Sequence, residues 1–373
     1  MEYKVCSKCI MDTSDCEIVF DNYGVCNHCQ RYEDLSSIRT MPKDKAKSEM
    51  QRLIEQIKLK GKNKEYDCIV GVSGGVDSTY VAYLAKKNGL RPLAVHLDNG
   101  WNSDLATKNI YKVLKKMDID LVTHVIDWNE FKALQKSFLN ASVPDGEIPS
   151  DHAIDALLWK TADKYNIKFI LSGMNFATES LSVPTWAYGH SDWKYIRSIH
   201  KKFSKSKLNT FPHFGFIYLF YVNFIKNVRI VSLLNYIDYD KTKVISFLER
   251  ELGWENYGGK HYESIYTRFY QGYILPKKFN IDKRRGHLSD LINSEQISRD
   301  TALIEINKPP LSKEMLRDDM LFVMKKLDYS QESFEQMISS ENKTYKDYPN
   351  SYAFVQFLRY LVNVLRKFNL YPK

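Results

Sequence analysis

Three sets of residues in this 373-residue chain have the types and spacing to do chemistry. The first is Ser73-Gly74-Gly75-Val76-Asp77-Ser78. Two glycines without side chains let backbone N–H groups approach an anion, and Ser73 and Ser78 add hydroxyl donors. The apolar run Cys68–Val72 precedes this stretch and a helical pattern from Thr79 to Leu84 follows. It therefore reads as a strand-to-helix turn, with the positive end of a helix dipole facing whatever binds there. Asp77 is the odd member, because a carboxylate beside phosphate calls for a bridging Mg²⁺. A Walker loop is excluded: it needs a Lys before its final Ser/Thr and wider glycine spacing. An ordinary Gly-rich turn is the bland alternative, and the complete hexapeptide in this context argues against it.

The second set is Cys6-x-x-Cys9 and Cys26-x-x-Cys29, with sixteen residues between the pairs. Folded back on the turn Asp21–Gly24, they offer four thiolates to a tetrahedral Zn²⁺. Disulfides and an iron–sulfur cluster compete. No basic, apolar and cleavable leader is visible, so a reducing, cytoplasmic location is expected, which disfavours disulfides. Four protein ligands leave no open position, so the zinc is expected to be a structural clamp. Cys16 is expected to stay outside the cluster, and His28 is expected to be exposed rather than coordinating. The third set is Lys283-Arg284-Arg285. Adjacent cations repel unless an anion lies between them. A solvated cluster is the usual outcome; a triphosphate would make Lys283 and Arg285 phosphate contacts, and that reading is preferred.

The elements that must position these residues alternate. Strands are expected at Asp67–Val72, Pro92–Asp98, Leu121–Ile126 and Lys168–Leu171, with helices at about 79–87, 103–117 and 151–165 and another carrying Phe131, Leu134 and Phe138. An amphipathic helix, Asp44–Lys60, comes before them. The pattern implies a doubly wound parallel α/β sheet, whose ligands sit at the carboxyl ends of the strands. Asp98 ends the second strand, as a ligand acceptor or as a cap for the next turn. Gly173 follows the fourth, where it lets the backbone pass close to a nucleotide. Beyond them, Pro184–Arg197 carries Trp186, Tyr188, His190, Trp193, Lys194 and Arg197, either a sugar- or base-stacking surface or a loop pinned by its own aromatics. Leu208–Tyr236 reads as apolar helices, Asp240–Leu252 as a further helix, and Ser298–Lys373 as helices that include Phe354–Phe368. Three regions follow: residues 1–42, a zinc knuckle; 43–200, the α/β domain; and 201–373, mainly helical, completing the site and offering an assembly surface.

Composition bounds the partners. The net charge of +9 suits either nucleic acid or a substrate set rich in phosphate. No run of five basic residues occurs, so small anions are preferred and no nucleic acid is expected. The uncharged run Leu208–Ile225 is broken by Asn209, Pro212, His213 and Asn223. It reads as a buried helix or partner surface, with peripheral membrane contact as the alternative, and not as a span.

The hexapeptide matches the pyrophosphate (PP) loop of the N-type ATP pyrophosphatases, the group of adenine nucleotide alpha hydrolase-like folds that includes GMP, NAD and asparagine synthetases. With the Cys knuckle, Leu97-Asp98-Asn99-Gly100-Trp101, Gly173-Met174-Asn175 and the stretch from Gly258 to Arg285, the chain resembles the N-acetyl sugar amidotransferases of bacterial surface-polysaccharide (O-antigen and nonulosonic acid) biosynthesis. The resemblance implies ATP bound by residues 72–78 (Val72 through Ser78), Asp98 near the nucleoside, and Mg²⁺ between Asp77 and Glu179. Glu179 reads equally well as a helix-start carboxylate. It implies a late Lys on the departing phosphates, for which Lys260 is the choice, with Glu263 orienting it; His261 is catalytic or merely exposed. The implied reaction turns an acetamido group of a nucleotide-linked sugar into an acetamidino group, with AMP and pyrophosphate released. The ammonia would come from separate glutaminase and synthase-like subunits. Residue 2 is Glu and no Cys sits in a Gly-x-Cys-x-Gly elbow, so the chain is not expected to make its own ammonia. A tRNA-thiolating enzyme and a zinc-dependent nucleotide sensor are the other readings, and the lack of any Cys after Cys68 argues against thiolation.

Overall fold

A computed structural model describes residues 2–40 and 42–367. Five strands form one parallel sheet: β1 (Cys68–Gly71), β2 (Pro92–Asp98), β3 (Asp120–Val125), β4 (Phe169–Ser172) and β5 (Arg229–Ser232), in the order β3-β2-β1-β4-β5. The central β1, β2 and β4 are almost continuously buried, as strands covered on both faces must be. The order reverses between β1 and β4, so the loop after β1 and the loop after β4 flank the crevice where doubly wound sheets bind ligands.

One face is covered by helices α1 (Lys43–Gly61), α2 (Val76–Lys87) and α3 (Asp104–Met117), through Ile57, Val81, Ala85, Ile110 and Leu114. The other is covered by α4 (Ile148–Lys164), through Trp159 and Ala162, and by Val222 from the later segment. A separate core, containing Trp101, Phe131, Phe138, Tyr266, Phe269 and Tyr270, joins the helix Trp128–Asn140 to the C-terminal helices.

Two expectations change. The segment Leu208–Tyr236 is not all helix: a short helix and a π-helical turn cover Phe216–Ile225, and then β5 adds an edge strand. Four residues inside an apolar run carry no periodicity that separates strand from helix. The sheet thus extends past the boundary expected at residue 200, and the region 201–373 contributes a strand as well as helices. The helix expected to reach Phe368 spans Tyr352–Lys367; Phe368 lies outside the described residues.

The knuckle brings Cys6, Cys9, Cys26 and Cys29 together, all buried, with their sulfurs within 4.8 Å of one another. The Cys9–Cys26 sulfurs are 3.6 Å apart and the Cys6–Cys29 sulfurs 3.9 Å. Four thiolates about 2.3 Å from a central Zn²⁺ at tetrahedral angles would stand about 3.8 Å apart, so the set fits zinc. The amides of Cys9 and Cys26 point at the Cys6 sulfur at 3.4 and 3.2 Å, which favours thiolate. Cys16 is exposed, away from the cluster. His28 is buried rather than exposed, paired with Asp15 at 2.7 Å, and Asp15 in turn accepts from Thr185.

The knuckle grips the C-terminal helices. Arg299 donates to the carbonyls of Cys9 and Cys6 at 3.0 and 2.8 Å. Arg285 pairs with Asp12 at 2.9 Å and donates to the Ile10 carbonyl. Purified protein is expected to carry one zinc per chain by elemental analysis. Cys26→Ser should lose it and speed amide exchange in 284–306. Full exchange protection in a metal-free variant would refute the clamp.

Candidate active site

The loop after β1 owes its shape to Gly74, whose φ of +82° is the left-handed region. A Cβ there would stand 2.6 Å from the Ala106 carbonyl oxygen, so no other residue fits without backbone movement. Trp254 Nε1 donates to the Gly74 carbonyl at 2.9 Å and fixes the turn from the other side. Gly75 caps α2, leaving the first N–H groups of that helix directed at the crevice. Ser78 Oγ donates to the Gly75 carbonyl at 3.2 Å and lies 3.4 Å from Ser73 Oγ, so both hydroxyls sit on the same side of the turn.

Gly173 makes a different close approach from the one expected. A Cβ on it would meet the backbone of Asp77 and Ser78 at 3.0–3.1 Å. Its bareness lets the end of β4 press against the loop. Beyond it, Asn175 caps the short helix Phe176–Glu179 by accepting from Thr178 N at 2.9 Å. Asn235, just after β5, accepts from Phe176 N at 2.7 Å. The edge strand therefore sets where Glu179 sits.

Asp77 and Glu179 form the electrostatic centre. Burial pushes the Asp77 carboxyl above its usual range; Lys241, the Tyr239 hydroxyl and Lys260 work against this, and the Glu179 charge adds to it. Tyr239 donates to Asp77 Oδ1. Lys260 pairs with Glu179 at 3.2 Å and stands 3.3 Å from His287 Nδ1. Burial, then Lys260 and Lys241, hold the His287 pKa down at about 2, so its ring is neutral at working pH. Two adjacent carboxylates with hard oxygen donors suit Mg²⁺.

A cavity of about 600 Å³ adjoins this centre, with Glu179, Trp186, Lys260, Arg268, Lys283 and His287 among its walls. The loop residues 73–78 are not part of its lining. Glu179 and Lys260 thus stand between the phosphate cradle and a space large enough for a sugar nucleotide's variable part.

Other sequence-derived candidates are placed as follows. Asp98 accepts from Gly100 N at 2.9 Å, the turn-capping arrangement. Lys283 lies on the cavity wall, bound to Glu147 at 2.6 Å; burial disfavours its charge, and Glu147, Asp151 and Asp145 outweigh that. Arg285 is corrected: its guanidinium is occupied by Asp12 and the knuckle carbonyl, so it makes no phosphate contact. Arg284 faces Asp282 at 2.7 Å. Glu263 does not orient Lys260; its Oε1 is 3.6 Å from His261, and its buried Oε2 meets no hydrogen-bond partner among the described residues. Of the aromatic stretch 184–197, only Trp186 and Ala187 line the cavity. Trp193 is stacked between His213 at 4.3 Å and His152 at 5.4 Å, and His190 pairs with Asp155.

Sequence reasoning missed Tyr239, Trp254, His287 and Tyr257, whose hydroxyl a Cβ on Gly75 would meet at 3.3 Å. The aromatic run Trp254–Tyr257 beside Gly258-Gly259 was the available signal for two of them. Tyr239 and His287 have no local pattern, since their roles arise only from packing.

Two measurements follow from this geometry. Gly74→Ala is expected to cost about 2–3 kcal/mol from left-handed backbone plus the Ala106 clash, seen as a lower urea midpoint, and to abolish ATP binding. The second concerns Asp290, which accepts from Ser180 Oγ and Leu181 N at 2.5 and 2.9 Å beside the cavity. Burial raises its pKa from 3.8 to about 6. Its folded-state pKa is raised, so its stabilising contribution is present below pH 4 and is lost as pH rises through about 6. Wild type should lose up to about 3 kcal/mol relative to Asp290→Asn between pH 4 and 7 in urea titrations. A pH-independent difference would contradict the assignment.

Residues 67–182 match the family model described as queuosine biosynthesis protein QueC. Residues 263–361 match that of LPS biosynthesis protein WbpG-like, C-terminal domain. No curated protein matches the chain significantly. Similar solved structures include an NMN synthetase from Francisella tularensis, 15% identical over 60% of this chain and 90% of that one, with a TM-score of 0.29. An NH3-dependent NAD synthetase from Campylobacter jejuni is 15% identical over 56% and 84%, TM-score 0.29. A predicted tRNA methyltransferase subunit from Methanocaldococcus jannaschii is 13% identical over 48% and 74%, TM-score 0.28. TM-scores this low bear no weight.

Proposed function

We propose that this chain, a member of the PP-loop superfamily with a WbpG-like C-terminal domain, is an ATP-dependent amidotransferase of surface-polysaccharide biosynthesis. The observation that carries the reading is the loop's Asp77 placed beside Glu179 and Lys260, two residues of the cavity wall. A triphosphate on one side and an acyl group on the other would meet there.

On this reading the phosphates of ATP lie on the N–H groups and hydroxyls of residues 73–78. Mg²⁺, held by Asp77 and Glu179, would neutralise the phosphate oxygens. The oxygen of a substrate acetamido group, carried on a nucleotide-linked sugar in the cavity, attacks the α-phosphorus. The bond to the β-phosphate oxygen breaks, and pyrophosphate leaves with the electron pair. The amide nitrogen gives up its proton as the O-adenylated imidate forms. Ammonia, supplied by separate glutaminase and synthase-like subunits, adds to the imidate carbon, and AMP departs to leave the amidine. An amide oxygen is a weak nucleophile, so alignment and charge neutralisation supply most of the rate. Lys260 is the mobile cation, able to leave Glu179 for the departing pyrophosphate. Lys283, bound to Glu147, is better suited to ordering the cavity wall than to following a leaving group.

Cysteine placement disfavours the thiolating alternative. Cys68 is buried in β1, four cysteines form the knuckle, and Cys16 lies on the knuckle's surface. None lines the cavity.

Incubation with ATP, ammonium and candidate N-acetylated nucleotide sugars should yield AMP, pyrophosphate and a product about one mass unit lighter, as oxygen is replaced by an imino group. ADP and orthophosphate as products would end the proposal. Asp77→Asn should abolish pyrophosphate release with an unchanged melting curve. Lys260→Met should lower kcat about 100- to 1,000-fold with little change in KM for ATP, as expected for a group acting on the leaving group.

A further inference from the structure

The charge of this chain is unevenly distributed. Residues 193–237 contain eight Lys and Arg and no Asp or Glu; residues 348–373 contain four and none. With a net charge of +9 overall, everything outside these stretches is net negative by three.

The two stretches meet in space. The Phe216 ring packs edge-on against Phe354 at 5.6 Å. Ser198 Oγ donates to the Pro349 carbonyl at 2.9 Å, and Lys202 lies over the Tyr348 ring at 4.9 Å.

Both also expose apolar stripes. In the Phe216–Ile225 segment, Val222 is buried and Tyr218, Leu219 and Tyr221 lie against the sheet. Ile217, Phe220, Phe224 and Ile225 face outward, Ile217 88% and Ile225 67% exposed. Positions 217, 220 and 224 fall on one helical stripe. In the helix Tyr352–Lys367, Phe354, Phe357 and Leu361 repeat that spacing, with Phe357 59% and Tyr360 68% exposed. A connected set of this kind marks an interaction surface. Of the two readings of the run Leu208–Ile225, a buried helix or a partner surface, the exposed stripe fits the second.

Charge selects the occupant. A second copy of this surface would set one predominantly positive rim against another. Nucleic acid would use the cations and could stack bases on Phe220, Phe357 and Tyr360, but the aliphatic Ile217, Ile225 and Leu361 among them gain nothing from a base and are better covered by acyl chains. Apolar side chains at helical spacing inside a predominantly basic border, in which Lys226 is paired with Asp163 at 2.9 Å, fit a bilayer whose headgroups are anionic. We propose that this face docks peripherally on anionic phospholipid, with the stripes of 216–225 and 352–361 at the headgroup–acyl boundary and Lys201, Lys202, Lys205 and Arg229 on the headgroup phosphates. No described helix is long and apolar enough to cross a membrane, in keeping with surface attachment.

The test is flotation of the full chain with vesicles of phosphatidylcholine alone and of phosphatidylcholine mixed with phosphatidylglycerol. Binding is expected only to the mixed vesicles and should weaken with added salt. Phe220→Glu with Phe357→Glu, and separately Lys201→Glu with Lys205→Glu, should each cut the bound fraction about tenfold or more, given about fivefold per basic residue lost at an anionic surface. The Lys pair is on the exterior, so its variant also serves if the Phe pair compromises folding; ATP turnover without vesicles should match wild type in both. Equal flotation of both variants and wild type overturns the proposal. So does absence of flotation, whether accompanied by dimers in sedimentation velocity, by capture of RNA or by neither.

Discussion

Two carboxylates must share the end of one sheet. Asp77 stands on the first turn of a buried helix, where backbone donors favour negative charge, and Glu179 approaches it from the neighbouring loop. Burial alone would push Asp77 toward its neutral form. What keeps the pair compatible with a folded protein comes from later in the chain: the Tyr239 hydroxyl, Lys241 and Lys260. The sheet's ligand-binding end is therefore electrostatically incomplete until the segment after β5 folds over it. The same segment supplies Trp254 to the Gly74 carbonyl and pairs Glu263 and Ile265 with the chain at Trp101–Ser103. Closing the C-terminal region over the loop is a condition of having the loop at all.

That closure needs an anchor on its outer side, which the knuckle provides from the opposite end of the sequence. Cysteine backbone carbonyls accept from Arg299, Asp12 takes Arg285, and Ser289 Oγ accepts from Ile10 N at 3.3 Å. The helix Arg284–Asn293 is thus held on one face by the knuckle, while His287 on another face touches Lys260. A metal held by the four thiolates would thereby set the position of a residue beside the proposed leaving group without taking part in the chemistry. The role of Arg285 follows from this geometry. The three cations at 283–285 do not repel because each has its own acid, Glu147, Asp282 and Asp12.

Much of this was legible in the sequence where function rides on local pattern. The hexapeptide, the alternation of strand and helix, and the two CxxC pairs each follow from spacing within a few residues, and the sheet, the turn and the cluster of four sulfurs are where that spacing puts them. Long-range partnership was not legible. Nothing around residue 239 announces a tyrosine bound to a carboxylate 162 positions earlier. Nothing at Lys283 says whether its anion will be a phosphate or Glu147. The β5 strand was hidden because an edge strand of four residues inside an apolar run looks like the helix before it. His28 was misjudged for a similar reason: between two metal ligands it looks exposed, and only the fold brings Asp15 to it.

The ion pair between Lys260 and Glu179 ties these threads together. Each partner is about one-quarter exposed, so the pair is neither sealed in the interior nor dispersed in water. A lysine in that setting is held in place by its acid yet can exchange it for a stronger anion. The neutral His287 beside it offers either a lone pair to the ammonium or, in the other tautomer, a proton to the Thr178 carbonyl, and so competes for neither charge. If triphosphate arrives with its own divalent cation, Glu179 gains a better partner in the metal, and the ammonium is released toward the phosphates at the same moment. In that exchange each carboxylate would keep a cation and the ammonium an anion, so a site built from these few groups would stay paired before and after binding.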